Sequence, residues 1–151
     1  MDRANATIHA TAVLTGAKAT LIRGPAGSGK SGLAWSLVGA GARNLLPLAR
    51  LVADDRALVE ARSDRLLVRP APELAGQIEI RGLGIRRIEF EPIAVVGLVV
   101  DLEAKDAGRL PDQGATSTEI CGVRLPRLGV AAGVPALPLV LAVQRTAPTG
   151  D

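Results

Sequence analysis

Apolar residues in this chain come in short blocks of four to eight, cut apart by glycine, proline and charged punctuation. Blocks of that length read as strands unless a 3.6-residue period is visible. Residues 7–14 and 19–23 predict two strands around a turn at Gly16-Ala17-Lys18. Residues 31–38 show the helical period, with Leu33, Leu37 and Val38 on one face, and Gly39 and Gly41 are expected to end that helix. A loop over 42–49 leads to a short strand, Leu51-Val52-Ala53, which runs into Asp54-Asp55. Residues 57–61 and 65–68 predict a hairpin turned at Ser63-Asp64. After a loop at 70–76, residues 77–80 predict a strand that ends in Arg81-Gly82-Leu83-Gly84. Residues 93–100 form the longest apolar run, and 93–102 predict a strand buried on both faces. Residues 103–119 are polar and are expected to be mobile, and 120–125 predict a last strand. A helix over 133–143 is expected, with Pro138 counting against it. Strands outnumber helices and there is no repeat, so the pattern predicts an α/β domain with a mixed sheet.

Composition sharpens this. A chain of 151 residues predicts one domain, 1–151, with its core at 7–125 and a C-terminal tail at 126–151. Such a chain buries roughly two-thirds of its unfolded surface and needs neither disulfide nor structural metal. Aromatics are 1% of residues, which argues against base stacking on single strands. A net charge of +3, with no basic cluster denser than Arg86-Arg87, argues against nucleic-acid binding. The polar opening at 1–7 shows no leader, and the run at 93–100 is too short to span a bilayer, so a cytoplasmic protein without a membrane is expected. One cysteine and one histidine exclude a multi-Cys or multi-His site, leaving a hard cation on oxygen ligands as the metal that would fit.

The strongest chemical signal is Gly24-Pro25-Ala26-Gly27-Ser28-Gly29-Lys30-Ser31, a complete G-x-x-x-x-G-K-[ST] phosphate loop between a strand and a helix. Backbone N–H groups of such a loop form an anion nest, and the helix adds its positive end. Lys30 reaches the β- and γ-phosphates, and the Ser31 hydroxyl ligates Mg²⁺. Asp54-Asp55 closes an apolar strand, as metal-organising acids do. Side chains alternate along a strand, so the two should do different jobs. The same dipeptide is also good turn chemistry. Glu79 should face away from Ile78 and Ile80. His9, taken alone, fits a packed core residue better than a catalyst, Arg109 fits a solvated charge, and Cys121 fits a small apolar residue.

Taken together, Ile8-His9-Ala10, the loop at 24–31, LVADDR at 51–56 and IEIRGLGI at 78–85 resemble the catalytic domain of the HPr kinase/phosphorylase family. The resemblance spans 7 to about 125 and looks like a short, single-domain version of the alphaproteobacterial type. It implies a phosphoenolpyruvate-carboxykinase-like P-loop fold and an ATP- and Mg²⁺-dependent protein-serine kinase, with the phosphocarrier protein HPr as its substrate. It assigns His9 to orienting the catalytic aspartate, and Lys30 with the loop 24–31 to ATP. Ser31 and Glu79 would hold Mg²⁺, Asp55 would be the general base, Asp54 would assist the metal, and Arg109 would stabilise the transferring phosphoryl group. Residues 129–142 contain no arginine where longer members carry an arginine-rich loop, so a weak reverse phosphorylase activity is expected. A homo-oligomer is compatible with the sequence but not required by it. Without the resemblance, a small-molecule kinase, a nucleotide hydrolase and a nucleotide-sensing module on the same fold all stay open.

Overall fold

The computed structural model describes residues 4–149. Residues 1–3, part of the polar opening that argued against a leader, and residues 150–151, the end of the expected domain, lie outside the described residues.

Among the described residues, eleven strands and two α-helices make a mixed α/β structure. Strands β1 (Asn5–Ile8), β2 (Thr11–Thr15), β3 (Ala19–Arg23), β4 (Ala49–Ala53), β5 (Ala57–Arg62), β6 (Arg65–Pro70), β9 (Ala94–Leu102), β10 (Ser117–Ile120) and β11 (Val123–Val130) share one sheet. β7 (Gln77–Ile80) and β8 (Gly84–Arg87) form a separate hairpin sheet. The order β1-β5-β6-β9-β3-β2-β4 is antiparallel except for β3 beside β9, and β11 is likewise parallel to β9. α1 (Lys30–Ala42) and α2 (Ala136–Arg145) cover one face, packing with Val13, Ile22, Leu51, Leu98 and Val100. Alternate side chains such as Ala12, Leu14, Leu21, Val59, Val68 and Val99 build a second core. As expected, β9 is buried on both faces.

Several boundaries differ from expectation. The single strand at 7–14 is two, because the chain bends at His9-Ala10, so β1 pairs with β5 while β2 pairs with β3 and β4. α1 runs through Gly39 and Gly41 and ends at Ala42, four residues past the expected end at 38. Asn44 supplies the left-handed cap (φ 62), with Asn44 N–H donating to the Gly41 carbonyl and Leu45 N–H to that of Ala40. Gly41 serves packing, since a Cβ there would meet the Ala49 Cβ at 2.6 Å. Residues 103–119 are not wholly irregular. They contain a short 3₁₀ turn at Gln113–Thr116 and most of β10. The strand expected at 120–125 is two, joined by a turn in which Cys121 (φ 52) and Gly122 (φ 80) are both left-handed, and Cys121 is half-buried against the core. α2 tolerates Pro138 because it is the third helical residue, whose N–H has no intrahelical acceptor to lose. The hairpin turn at Ser63-Asp64, with φ of 52° and 63°, is where the pattern put it.

Candidate active site

β3 and β4 flank β2 and both run antiparallel to it, so their C-terminal ends emerge at the same edge of the sheet. The phosphate loop leaves the end of β3, and Asp54-Asp55 leaves the end of β4. Thr11, the first residue of β2, sits between them. Between these ends and the β7–β8 hairpin lies an open cleft of about 830 Å³. Ala26 to Gly32, Thr11, Trp35, Asp55, Glu79, Ile80, Arg81, Gly82 and Gly84 line it.

The loop has the geometry its sequence promises. Gly27 (φ 82) and Gly29 (φ 99) take left-handed conformations that other residues resist, and Gly29 opens α1 without a side-chain cap. The helix N-terminus therefore points unsatisfied N–H groups at the cleft. Lys30 Nζ donates to the carbonyls of Gly24 (2.8 Å) and Pro25 (3.2 Å), folded over the loop it would share with a phosphate. The Ser28 hydroxyl is buried without a protein partner.

Asp54 and Asp55 part company, as strand alternation predicts, although backbone torsion takes a hand. Asp54 is only 6% exposed. Its Oδ1 accepts from the Ser31 hydroxyl (2.6 Å) and the Thr11 hydroxyl (3.0 Å), and its Oδ2 accepts the Glu79 N–H (3.0 Å). It thus ties phosphate loop, β2 and β7 together. A β-bulge aims it. Ala12 pairs with Ala53 but Val13 with Leu51, so Val52 is an extra residue, and Val52 and Ala53 both pack in the second core. The parity change turns Asp54 to the helical side, where Ser31 is. Asp55 has φ 70 and is exposed to the cleft, and its N–H donates to Thr11 Oγ1 at 3.3 Å.

The cleft thus brings together Ala26 to Ser31, with Lys30 among them, and Asp55 and Glu79, while Gly24 and Pro25 lie outside its lining and Asp54 is buried behind Ser31. Glu79 turns away from buried Ile78 and is exposed. Because the Ser31 hydrogen is spent on Asp54, its oxygen lone pairs are free for a cation. With the Glu79 carboxylate on the same cleft, the oxygen donors fit Mg²⁺. Among the described residues no three His, Cys, Asp or Glu side chains cluster as a metal cage. His9 and Arg109 do not line the cleft. His9 is exposed in the bend before β2 and makes no hydrogen bond to Asp55, while Arg109 is exposed in the segment after β9. Thr11, Trp35 and Arg81 were not expected in the lining. Trp35 had a signal, since it follows Ser31 by four residues and so shares its helix face. Thr11 had none, being one threonine in a strand.

No family model matches the chain. It is 35% identical over 136 residues to the HPr kinase/phosphorylase of Limosilactobacillus reuteri, covering 82% of this chain and 40% of that protein. It is 41% identical over 101 residues to the HPr kinase/phosphorylase of an Exiguobacterium species, covering 62% and 30%. The chain thus spans about two-fifths or less of the length of these curated relatives. The structure of the HPr(Ser) kinase/phosphatase from Coxiella burnetii superposes with a TM-score of 0.72 at 23% identity, covering 93% of this chain and 88% of that one. The fold is therefore the phosphoenolpyruvate-carboxykinase-like P-loop fold, as expected. On sequence, the chain is a homologue of the HPr kinase/phosphorylases that matches about two-fifths of their length, and it shares the fold of the Coxiella burnetii protein.

Proposed function

We propose that this protein is an ATP- and Mg²⁺-dependent kinase that phosphorylates a serine hydroxyl of the phosphocarrier protein HPr. The observation that carries the reading is the division of labour between adjacent acids, with Asp54 locked behind Ser31 and Asp55 free in the same cleft. A plain nucleotide-binding module needs no second carboxylate facing the phosphate loop. A kinase needs one, because a serine hydroxyl is a poor nucleophile until a base takes its proton.

In this reading the loop amides and Lys30 hold the β- and γ-phosphates of ATP. Ser31 and Glu79 hold Mg²⁺, which supplies charge neutralisation on the phosphates. Asp54 keeps the Ser31 hydroxyl turned so that its oxygen faces the cleft. Asp55 receives the proton of the substrate serine as the serine oxygen bonds to the γ-phosphorus and the bond from that phosphorus to the β–γ bridging oxygen breaks, releasing ADP. Arg109 contributes charge to the transferring group only if its exposed segment swings toward the loop, and His9 acts on Asp55 only across the bend that precedes Thr11. The reverse reaction, release of the phosphoryl group to inorganic phosphate, is weak, since a second anion must be held and residues 129–142 offer no arginine.

Incubation with labelled ATP, Mg²⁺ and HPr should yield phosphoserine on HPr, with no label in its absence. Transfer to a small molecule with HPr untouched would assign the site to a different kinase. Lys30→Ala should abolish turnover and nucleotide binding in a folded protein, and binding is readable from Trp35, the single tryptophan.

A further inference from the structure

We propose that Thr11 is a positioning residue for phosphoryl transfer, its one hydroxyl setting both aspartates at once. The inference rests on the kinase reading above and adds to it a residue that touches neither phosphate nor metal in that scheme. Thr11 is fully buried at the start of β2, between the strand ends that carry the phosphate loop and the acid pair. A hydroxyl has one hydrogen to give. The Asp54 carboxylate accepts only, so the Thr11 hydrogen goes to Asp54 Oδ1 (3.0 Å). A lone pair then receives the Asp55 N–H (3.3 Å).

The direction of every bond in the cluster is thereby fixed. Ser31, Thr11 and the Glu79 N–H all donate to Asp54, and Asp55 donates to Thr11. The last of these links, from Asp55 to Thr11, matters most. Asp55 sits at φ 70, a conformation that an L side chain adopts only when its surroundings hold it there. The Thr11 oxygen accepts the N–H of that strained residue, so the carboxylate stays aimed into the cleft and is not released to the extended backbone of β4. Thr11 therefore acts on the base through its backbone and on Ser31 through Asp54.

Thr11→Val is the test, since valine keeps the β-branch and volume while removing the hydroxyl. With HPr saturating, kcat should fall about tenfold or more, the scale of one hydrogen bond lost from a pre-set site, while the affinity for ATP, read from Trp35, changes much less. Thr11→Ser should restore kcat to near the wild-type level. In an Asp55→Asn background the valine change should cost little more, because both act on one proton transfer. Should the valine protein melt below the assay temperature, Thr11→Ser and Thr11→Ala take its place, with serine active and alanine impaired. Full kcat in Thr11→Val, or equal losses in the serine and alanine proteins, overturns the inference and leaves the kinase reading standing. A wild-type protein that phosphorylates no HPr overturns both.

Discussion

Asp54 and Asp55 are neighbours of the same chemical type, and the structure gives them opposite surroundings. Asp54 is buried on three donors, and Asp55 stands in the cleft with one backbone tie. Their mutants should separate accordingly. Asp55→Asn should lower phosphoryl transfer by at least ~10²-fold, the usual contribution of a positioned base, with nucleotide affinity and melting temperature nearly unchanged. Asp54→Asn replaces an acceptor with an amide that turns N–H groups toward buried donors. It should cost about 1–3 kcal/mol of stability and weaken nucleotide binding, measured by thermal unfolding and by Trp35 fluorescence. A catalytic loss confined to Asp54→Asn would exchange the two roles. The difference between the acids was legible in the sequence through strand alternation, and so was the phosphate loop, whose glycines, lysine and serine are demanded by local geometry. The direction in which Asp54 points was not legible. It depends on the bulge at Val52, which is a matter of how β4 pairs with β2, and pairing across 40 residues leaves no local mark. Thr11 was hidden for the same reason, since its two partners lie 43 and 44 residues away.

At the level of elements, most strands lay where apolar blocks put them: 19–23, 77–80 and the Ser63-Asp64 hairpin follow from local pattern and turn chemistry. The misses came where a local signal served a distant purpose. Glycine twice within three residues reads as a helix stop, yet α1 continues to Ala42. Gly41 is there because β4 crosses close by, whereas nothing lies within 4 Å of a Cβ built on Gly39. Two substitutions of the same kind should then have opposite effects. Gly39→Ala should stabilise by about 0.5–1 kcal/mol, the helix-propensity gain. Gly41→Ala earns the same gain but drives a methyl to 2.6 Å from the Ala49 Cβ and 2.9 Å from its backbone nitrogen. Overpacking of that kind costs about 1–3 kcal/mol, so the net change should be destabilising. Urea unfolding of the two variants against the parent decides this, and equal stabilisation by both would show that β4 yields freely. Likewise Pro138 argued against a helix that in fact accommodates it in the first turn, a distinction that depends on where α2 begins rather than on the proline itself.

Across the whole molecule, one charged knot ties the side chains of three neighbouring strands together and fastens to them the segment that follows β9. Arg23 closes β3 just before the phosphate loop, Asp101 lies at its partner position in β9, and Arg127 lies in β11. Asp101 accepts two bonds from Arg23, at 2.7 and 2.8 Å, and one from Arg127. Arg127 reaches on to Asp106 at 2.9 and 3.0 Å and to the Ala115 carbonyl at 2.9 Å, fastening the root of the segment that carries Arg109. Burial by itself raises the Asp101 pKa, but the hydrogen bonds and charges of Arg23 and Arg127 outweigh it and hold the carboxyl below its ordinary 3.8. A carboxylate whose pKa is lower in the folded than in the unfolded chain stabilises the fold fully above the unfolded value. That stabilisation fades as pH falls below 3.8 through the folded pKa. Asp106 is lowered too, chiefly by its bond to Arg127, but it is exposed, and screening leaves it a minor contributor. Asp101→Asn should therefore cost about 1–3 kcal/mol at pH 7, since the arginines lose a charged partner in a half-buried site. The gap between parent and variant should hold from pH 7 to 5, narrow below about pH 3.8, and close once the parent's own Asp101 is protonated. Thermal melts at pH 7, 5, 4 and 3 measure it. A gap that stays constant down to pH 3 would mean that Asp101 contributes shape and neutral hydrogen bonding, and that the knot's charge does not stabilise the fold.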